Sequence, residues 1–228
     1  KTGIFQVVKF RKKKDNVQGF GFDRQSLKGD FVFNEKTRKL VFHASEDIQG
    51  EKEGCRIVRE NNRYFVIIPS VKRIKVPDNQ RFGDVAIDPG VRTFATIFSE
   101  NIVGKIGCGD FQHVYRLCLG LDRLYSKMSK AKCKAKRNMR RSSERLRWRI
   151  RDLVDDMHKK LAHFLVTTFD RVFIPVFESS RMVSKLRSKT ARSMLTFGHY
   201  RFKQYLKSKG EEYSCDVVEV SEAYTSRT

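Results

Sequence analysis

The sequence predicts a chain of two parts, a small antiparallel β-rich unit followed by an α/β unit with a mixed sheet. Two observations predict this fold class. Short apolar or alternating runs fill the first eighty residues and are broken by Gly, Asn, Asp and charge clusters, a pattern typical of small antiparallel sheets or barrels. After them the order of elements is β-β-β-α-β-α-β, in which three antiparallel strands precede helical crossovers to parallel strands.

The β-rich part is predicted to span residues 1–80. Basic runs at 11–14 and 71–75 lie beside its strands, and the segment Pro77-Asp78-Asn79-Gln80 ends it because Pro and Asn interrupt a strand ladder. The candidate strands are 4–10, 31–33, 39–42, 55–58 and 64–68.

The α/β part is predicted to span residues 81–228 and to begin with a β-meander. The run 84–88 predicts a buried strand, and Pro89-Gly90 predicts a type II turn in which Gly supplies a positive φ. Two further strands are expected at 93–98 and 102–106.

A basic helical region is predicted at 115–168. Apolar residues recur there every three to four positions over 117–128 and again over 150–165, which indicates a helical hairpin or two helices in series. A strand at 171–177, a helix at 190–208 that stops near Gly210, and a last strand at 215–220 complete the α/β part.

The charge of the chain limits the classes of function. Its 228 residues hold 48 Lys and Arg against 26 Asp and Glu, a net charge of +22, which favours nucleic acid as partner over an anionic membrane surface. The 11% of aromatic residues argues against a disordered polycation. No apolar run reaches the roughly 18–20 residues that span a bilayer and no signal peptide opens the sequence, so no membrane partner is expected. The five scattered cysteines indicate a reducing compartment.

The positive charge is concentrated between Ser126 and Arg151, where twelve Lys and Arg accompany one acid, Glu144. Like charges three to four residues apart destabilise an isolated helix, so a purely structural helix would intersperse more Glu. The spacing predicts a surface that follows nucleic-acid phosphates, although a solvated structural face is the alternative. Trp148 within this stretch is expected in the core. The predicted nucleic-acid-binding residues are Lys127, Lys130, Lys134, Arg137, Arg140, Arg141, Arg145 and Arg149.

Three acids are candidates for catalysis. Asp88 ends the first strand of the meander, Glu178 follows the strand at 171–177, and Glu222 follows the last strand. Carboxylates that meet at one sheet edge form sites for Mg²⁺, and two such ions can cut a phosphodiester. Each acid, taken alone, could instead serve as a capping residue or as a partner in an ion pair. His158 and His163 are five residues apart and predict no metal or catalytic site, and no cysteine pair has zinc-knuckle spacing.

Several of these segments resemble the TnpB/Fanzor family of RNA-guided nucleases. The stretch 84–96, with Asp-Pro-Gly at 88–90, resembles the first RuvC motif, and 176–182 resembles the second. The segments 192–202 and 222–228 resemble the region that leads to the zinc ribbon of the family. The Asp-Pro-Gly form and Pro175-x-Phe177 are most similar to Fanzor, the eukaryotic and giant-virus branch. Residues 1–76 more weakly resemble part of the β-barrel wedge domain.

The resemblance implies an RNase H-like (RuvC) mixed sheet with a basic helical insertion, preceded by a small wedge-like β-barrel. Asp88 corresponds to the first catalytic aspartate and a Mg²⁺ ligand. Glu222 matches the relocated glutamate of Fanzor better than Glu178 does, because Pro175 occupies the usual position. The third aspartate and the Zn²⁺-binding ribbon are expected beyond Thr228, so the chain is expected to be a fragment or inactive.

The expected function is therefore that of a transposon-associated, RNA-guided DNA endonuclease. Its expected partners are an omega guide RNA and target DNA, and the expected location is the nucleus of the host cell. Two alternatives stay open. One is a catalytically inactive nucleic-acid-binding module, and the other is an RNase H-like transposase or resolvase that uses no guide RNA.

Overall fold

The computed structural model describes residues 15, 17–22, 27–28, 31–34, 38–41, 54–71, 73–74, 81–176 and 188–221. The chain divides into two compact units, Lys1–Lys72 and Arg73–Thr228. The predicted strand at 4–10 and the basic run at 11–14 lie outside the described residues.

Among its described residues, the first unit has two three-stranded antiparallel sheets, ordered β1-β5-β6 and β2-β3-β4. A two-residue loop joins β5 to β6, and Asn61 in it has a φ of 51°, a left-handed conformation that Asn tolerates. Phe22, Cys55 and Ile57 form a small core. Closure into a barrel stays a prediction. The strands are β1 (Val17–Phe22), β2 (Leu27–Lys28), β3 (Phe31–Asn34), β4 (Arg38–Val41), β5 (Cys55–Glu60) and β6 (Arg63–Ile67).

The second unit is built on a five-stranded mixed sheet with the order β11-β10-β7-β8-β9. The meander β7-β8-β9 is antiparallel, whereas β10 pairs in parallel with both β7 and β11. The prediction of a mixed α/β fold is confirmed. The strands are β7 (Phe82–Pro89), β8 (Ala95–Ser99), β9 (Val103–Ile106), β10 (Phe169–Pro175) and β11 (Asp216–Val220).

In the described part of the second unit, four helices accompany this sheet: α1 (Asp110–Lys130), α2 (Cys133–Thr168), α3 (Ser188–Phe197) and α4 (His199–Tyr213). The expected pair of helices in the basic region is confirmed, with a break at Ala131 and Lys132. Within the described part of the chain, no helix combines the length and apolar character needed to cross a membrane.

The core of the second unit lies on one face of the sheet. Val85 and Ile87 of β7 point into it, since side chains alternate along a strand, and the helices cover them with residues such as Leu165 and Phe202. Phe94, in the β7–β8 connection, is fully buried among these side chains.

The structure corrects two local predictions about β7 and the turn that follows it. The strand at 84–88 is buried on one face only, because Asp84, Ala86 and Asp88 are exposed. Gly90 is not among the described residues with a positive φ, so the predicted type II turn is wrong. A side chain would not fit at Gly90, because a Cβ there would lie 2.7 Å from the carbonyl oxygen of Thr93.

The last helical segment also differs from its prediction. Gly198, with a φ of 59°, divides it into α3 and α4. Gly210 does not stop α4, which continues to Tyr213 and ends at Ser214 in a left-handed conformation. Instead, Gly210 is buried where the helix packs closely on the start of β11.

The opposite face of the sheet carries an apolar row among the described residues. Side chains from all five strands lie directly opposite one another in this row, which we call the cross-strand row. Phe98 and Val103 in this row are 64% and 68% exposed. The row consists of Val218, Phe173, Ala86, Phe98 and Val103.

Candidate functional site

Asp88 lies near the carboxyl end of β7, the central strand of the sheet, and its side chain is exposed. The alternation of the strand places it on the same face as the cross-strand row, because the flanking Ile87 and Pro89 are buried. Thr96 of β8 is its direct cross-strand neighbour. The carboxylate is thus held by a rigid strand and open to solvent.

The carboxyl ends of three parallel strands meet at the edge where Asp88 lies. Phe173 of β10 is opposite Ala86 of β7, and Pro175 is opposite Val220 of β11. One residue further on, the Val176 amide donates a hydrogen bond to the carbonyl oxygen of Val220, at 3.0 Å. The chain therefore leaves β10 and β11 at the same edge as Asp88.

Of the three predicted acids, Asp88 is the one that the structure describes. Glu178 comes three residues after the end of β10, Glu222 comes two residues after the end of β11, and both lie outside the described residues. Among the residues that the structure does describe, no group of three His, Cys, Asp or Glu side chains is arranged to hold a metal ion. The exposed Asp88 carboxylate is a hard oxygen donor and fits a Mg²⁺ ion that keeps several waters.

The loop after Asp88 is held by hydrogen bonds from the α3–α4 region. His199 Nε2 donates to the carbonyl oxygen of Gly90 at 3.1 Å, and Ser193 Oγ donates to that of Val91 at 2.9 Å. Within the loop, the Gly90 amide donates to the carbonyl oxygen of Phe94 at 3.1 Å. These contacts fix the backbone that directly follows the acid.

Two buried histidines flank Phe94 beneath this loop. The His199 ring stacks on Phe94 with centroids 4.9 Å apart, and the His158 ring lies 5.1 Å from Phe94. His158 Nε2 donates to the carbonyl oxygen of Phe197 at 2.8 Å. Burial lowers the pKa of both histidines to about 4, although each hydrogen bond to a carbonyl raises the pKa in part. Both rings are therefore neutral near pH 7.

His199 and Ser193 were not predicted as site residues. Their hydrogen bonds span 109 and 102 residues, and no spacing in the sequence signals such contacts. His158 is a core side chain. The ring of His163, the other histidine considered in the sequence, contacts the Tyr213 ring edge-on.

The predicted basic surface lies on exposed parts of α1 and α2. Arg140 pairs with Glu144 at 3.4 Å, one turn along α2. Trp148 is 7% exposed and lies in the packed interior, where Arg151 covers its ring at 5.0 Å. Trp148 is thus a core residue, as expected. All eight predicted cations are exposed: Lys127, Lys130, Lys134, Arg137, Arg140, Arg141, Arg145 and Arg149.

Five of these cations form a line along one side of α2, at spacings of three or four residues. We call this set the α2 stripe. It extends for about 22 Å at 1.5 Å per residue. Neighbouring phosphates of a nucleic-acid strand are the natural counter-charges for such a line. The stripe consists of Lys134, Arg137, Arg141, Arg145 and Arg149.

The geometry defines a mixed α/β unit with an acid at a strand end and a basic helix beside its core. No protein-family model matches the chain. It is 29% identical over 178 residues to the TnpB-like protein L79 of Acanthamoeba polyphaga mimivirus, covering 74% of this chain and 34% of that protein. It is 30% identical over 197 residues to the putative transposase A625R of Paramecium bursaria Chlorella virus 1, covering 83% of this chain and 44% of that protein.

These matches confirm the resemblance to TnpB proteins that the motifs predicted. The chain spans between a third and a half of the length of these two relatives. Among solved structures, a chain of the CRISPR-Cas12f ternary complex is similar with a TM-score of 0.44 and 16% identity, covering 76% of this chain and 36% of that one.

Proposed function

We propose that this chain is the nuclease part of an RNA-guided DNA endonuclease of the TnpB kind, closest to Fanzor. The observation that carries the proposal is the position of Asp88. It lies exposed at the carboxyl end of the central strand, at the edge where two parallel strands also end. The strand order β11-β10-β7-β8-β9 supports an RNase H-like (RuvC) sheet. The similarity to TnpB-like viral proteins supports the same family.

In this proposal Asp88 and Glu222, with Glu178 as the alternative to Glu222, hold Mg²⁺ at the sheet edge. Two Mg²⁺ ions would supply an activated water nucleophile and stabilise the leaving oxygen of a phosphodiester. The residues of the chain position the site. The β7 ladder fixes the Asp88 backbone, and the hydrogen bonds from His199 and Ser193 fix the loop beyond it. A Zn²⁺ ribbon is expected only in residues after Thr228.

The α2 stripe would hold the duplex of guide RNA and target DNA by its phosphates. Base pairing between guide and target would then read the sequence, so the protein needs no base-specific contact with the duplex. The guide is an omega RNA by the resemblance to the family. By the same resemblance, the protein works in the nucleus of the host cell.

The test is Mg²⁺-dependent cleavage of guide-matched DNA by the complete protein purified with its RNA. We expect Asp88→Asn to reduce cleavage by at least about 100-fold, since loss of a metal ligand removes charge stabilisation of the transition state. Asp84→Asn is the matched control. Asp84 lies on the same strand and face, but it accepts two hydrogen bonds from Arg171 at 2.8 and 2.9 Å. Cleavage that survives Asp88→Asn would overturn the proposal.

A transposase or resolvase without a guide RNA is the second candidate, because some of the similar viral proteins are named putative transposases. It needs the same acids, so the RNA separates the two functions. Co-purification of one defined RNA species, with cleavage that follows the guide sequence, favours the nuclease. Cleavage or strand transfer that is unchanged after ribonuclease treatment favours the second candidate.

A catalytically inactive nucleic-acid-binding module is the third candidate, and the basic charge of α2 would equally serve it. It predicts salt-dependent binding to nucleic acid without any Mg²⁺-dependent cutting by the complete protein. Cutting that Asp88→Asn abolishes would exclude it.

A further inference from the structure

A cavity of about 340 Å³ opens between helices α1, α2, α3 and α4. Residues of α1, α2, α3 and α4 line it, and no strand residue does. Its volume is at the lower end of the range of small-molecule pockets, about 300–1,000 Å³. The cavity is therefore separate from the strand-end edge at which Asp88 lies.

Four arginines give this cavity its charge: Arg147, Arg151, Arg192 and Arg201. Asp122 in the wall accepts two hydrogen bonds from Arg192, at 2.6 and 3.0 Å, which raise the pKa of that guanidinium.

Asp155 provides the second counter-charge. It pairs with Arg201 at 2.8 Å and with Arg151 at 3.6 Å. Four guanidinium charges against the two carboxylates leave a local charge of 4 − 2 = +2. The carboxylates hold three guanidiniums in place, so little side-chain entropy would be lost when an anion binds.

The remaining wall of the cavity is uncharged. Leu121 and Ile150 provide apolar surface, and Cys118 is buried beside them. Burial raises the pKa of the Cys118 thiol, although Arg192 lowers it in part, so the thiol stays protonated near pH 7. A ligand that fits both the arginine-lined wall and the uncharged wall has an anionic group and a flat or apolar body.

We propose that this cavity binds one nucleotide of a nucleic-acid strand. The phosphate would accept hydrogen bonds from the arginines, which suit bidentate contacts with phosphate oxygens, and the base would pack on Leu121 and Ile150. The inference rests on the proposed nucleic-acid binding. Arg147 and Arg151 belong to the same basic stretch of α2 but lie on the side of the helix away from the α2 stripe. A strand bound to the stripe would therefore have to pass around α2 to reach the cavity.

The first experiment measures the affinity of the chain for a fluorescein-labelled 12-nucleotide single-stranded DNA by anisotropy. Arg147 is exposed and lines the cavity, so Arg147→Gln removes a charge there. Its matched control Arg141→Gln removes a charge from the α2 stripe, which is also exposed. Arg147→Gln is expected to weaken binding about tenfold or more. The control should weaken it only a few-fold. Ile150→Phe, which fills the cavity without changing charge, should also weaken binding. Equal effects of the two arginine variants, together with normal binding by Ile150→Phe, would overturn the proposal.

A second measurement uses the unmodified chain, so it stands even where a variant fails to fold. Adenosine monophosphate, adenosine and inorganic phosphate are titrated separately while backbone amide NMR signals are recorded. The monophosphate should shift the signals of Ile150 and Thr196 at lower concentration than either part alone. Shifts that come only with the oligonucleotide would assign the site to a strand rather than to a free nucleotide. Shifts confined to the α2 stripe with every ligand would overturn the proposal.

The outcomes for the cavity and for the nuclease are distinguishable. If the cavity variants bind DNA normally and nucleotides cause no shifts at the cavity, while the complete protein still shows Mg²⁺-dependent cleavage, the proposed function stays in place. Conversely, a nucleotide response of this chain, together with a complete protein that never cuts guide-matched DNA, supports the cavity and contradicts the nuclease.

Discussion

His199 donates a hydrogen bond from Nε2 to the carbonyl oxygen of Gly90, two residues after Asp88. The same ring stacks almost parallel on Phe94, with an angle of 5° between the planes. The first residue of α4 thus holds both sides of the β7–β8 connection. This part-buried contact favours one conformation of the backbone after the acid, because moving the loop would cost the Gly90 carbonyl oxygen its hydrogen bond from His199.

The two buried histidines predict that stability falls in mild acid. Because the pKa of each is about 4 in the fold and about 6.5 in a model histidine, the unfolded chain binds more protons between these values. The stability that the two neutral histidines contribute is fully present above pH 6.5 and is lost as the pH falls from there to about 4. The free energy of unfolding should fall by up to about 1.4 kcal/mol per pH unit for each histidine.

Urea denaturation at pH 7.0, 6.5, 6.0 and 5.5 checks this slope, since carboxylates stay ionised over that range. His163→Gln is the matched control, because His163 is exposed, and it should keep the slope. A free energy of unfolding that stays constant from pH 6.5 to 5.5 would contradict the prediction.

Close packing at Gly210 predicts that Gly210→Ala destabilises the fold. The new Cβ would lie 2.7 Å from the Cys215 carbonyl oxygen and 2.8 Å from Val217 Cγ2, so α4 would have to move away from β11. We expect a loss of about 1–3 kcal/mol in the free energy of unfolding.

Gly120→Ala is the control for this substitution. Gly120 lies inside α1, and a Cβ there would make an ordinary contact of 3.5 Å with Leu146. That change should stabilise the protein by up to about 1 kcal/mol, because alanine favours the helix. Similar chemical denaturation curves for the two variants would show that the contact at Gly210 is not restrictive.

The proposed metal site predicts unequal roles for the two glutamates. Glu222→Gln should abolish cleavage by the complete protein, whereas Glu178→Gln should retain most of it, following the resemblance to Fanzor. Single-turnover cleavage rates of the two variants at saturating Mg²⁺ decide between them. The reverse pattern would assign the ligand to Glu178, and full activity of both variants would remove both from the site.

The α2 stripe predicts that salt weakens nucleic-acid binding steeply. Removing two phosphate contacts with Arg137→Gln and Arg141→Gln should reduce the slope of log affinity against log salt by about 1.4 for a single-stranded oligonucleotide. Anisotropy titrations from 50 to 300 mM NaCl measure it. The control pair Lys159→Gln and Lys160→Gln lies later on the same helix and should leave the slope nearly unchanged. Equal slopes for the two pairs would show that the stripe does not contact phosphates.

Strong local patterns predicted most elements of the second unit. The apolar spacing predicted α1 and α2, and the strands of the sheet were placed within about two residues of their observed ends. By contrast, β1 has the sequence VQGFGF, in which two glycines weaken the strand signal, and it was not predicted. Gly210 was interpreted as a helix stop. The sequence does not reveal that the start of β11 packs against it, and this contact is what requires a glycine there.

The candidate site was also predictable only in part, because some of its contacts join residues that are far apart in the sequence. Asp88 is recognisable because its local motif marks a strand end. Ser193 and His199 act on the loop after it through contacts that the folded chain creates. The cavity with four arginines is formed by four helices, and the residues that line it span 84 positions from Cys118 to Arg201. No single segment of the sequence therefore predicts it.

The cross-strand row affects how this protein is purified. Contiguous exposed apolar surface is uncommon on soluble monomers and promotes self-association. Salt is the usual means of removing nucleic acid from a basic chain, and here the choice of anion matters. Sulfate would strengthen apolar association through Phe98 and Val103 while it weakens contacts with the α2 stripe. Sodium chloride would release nucleic acid with less precipitation than ammonium sulfate.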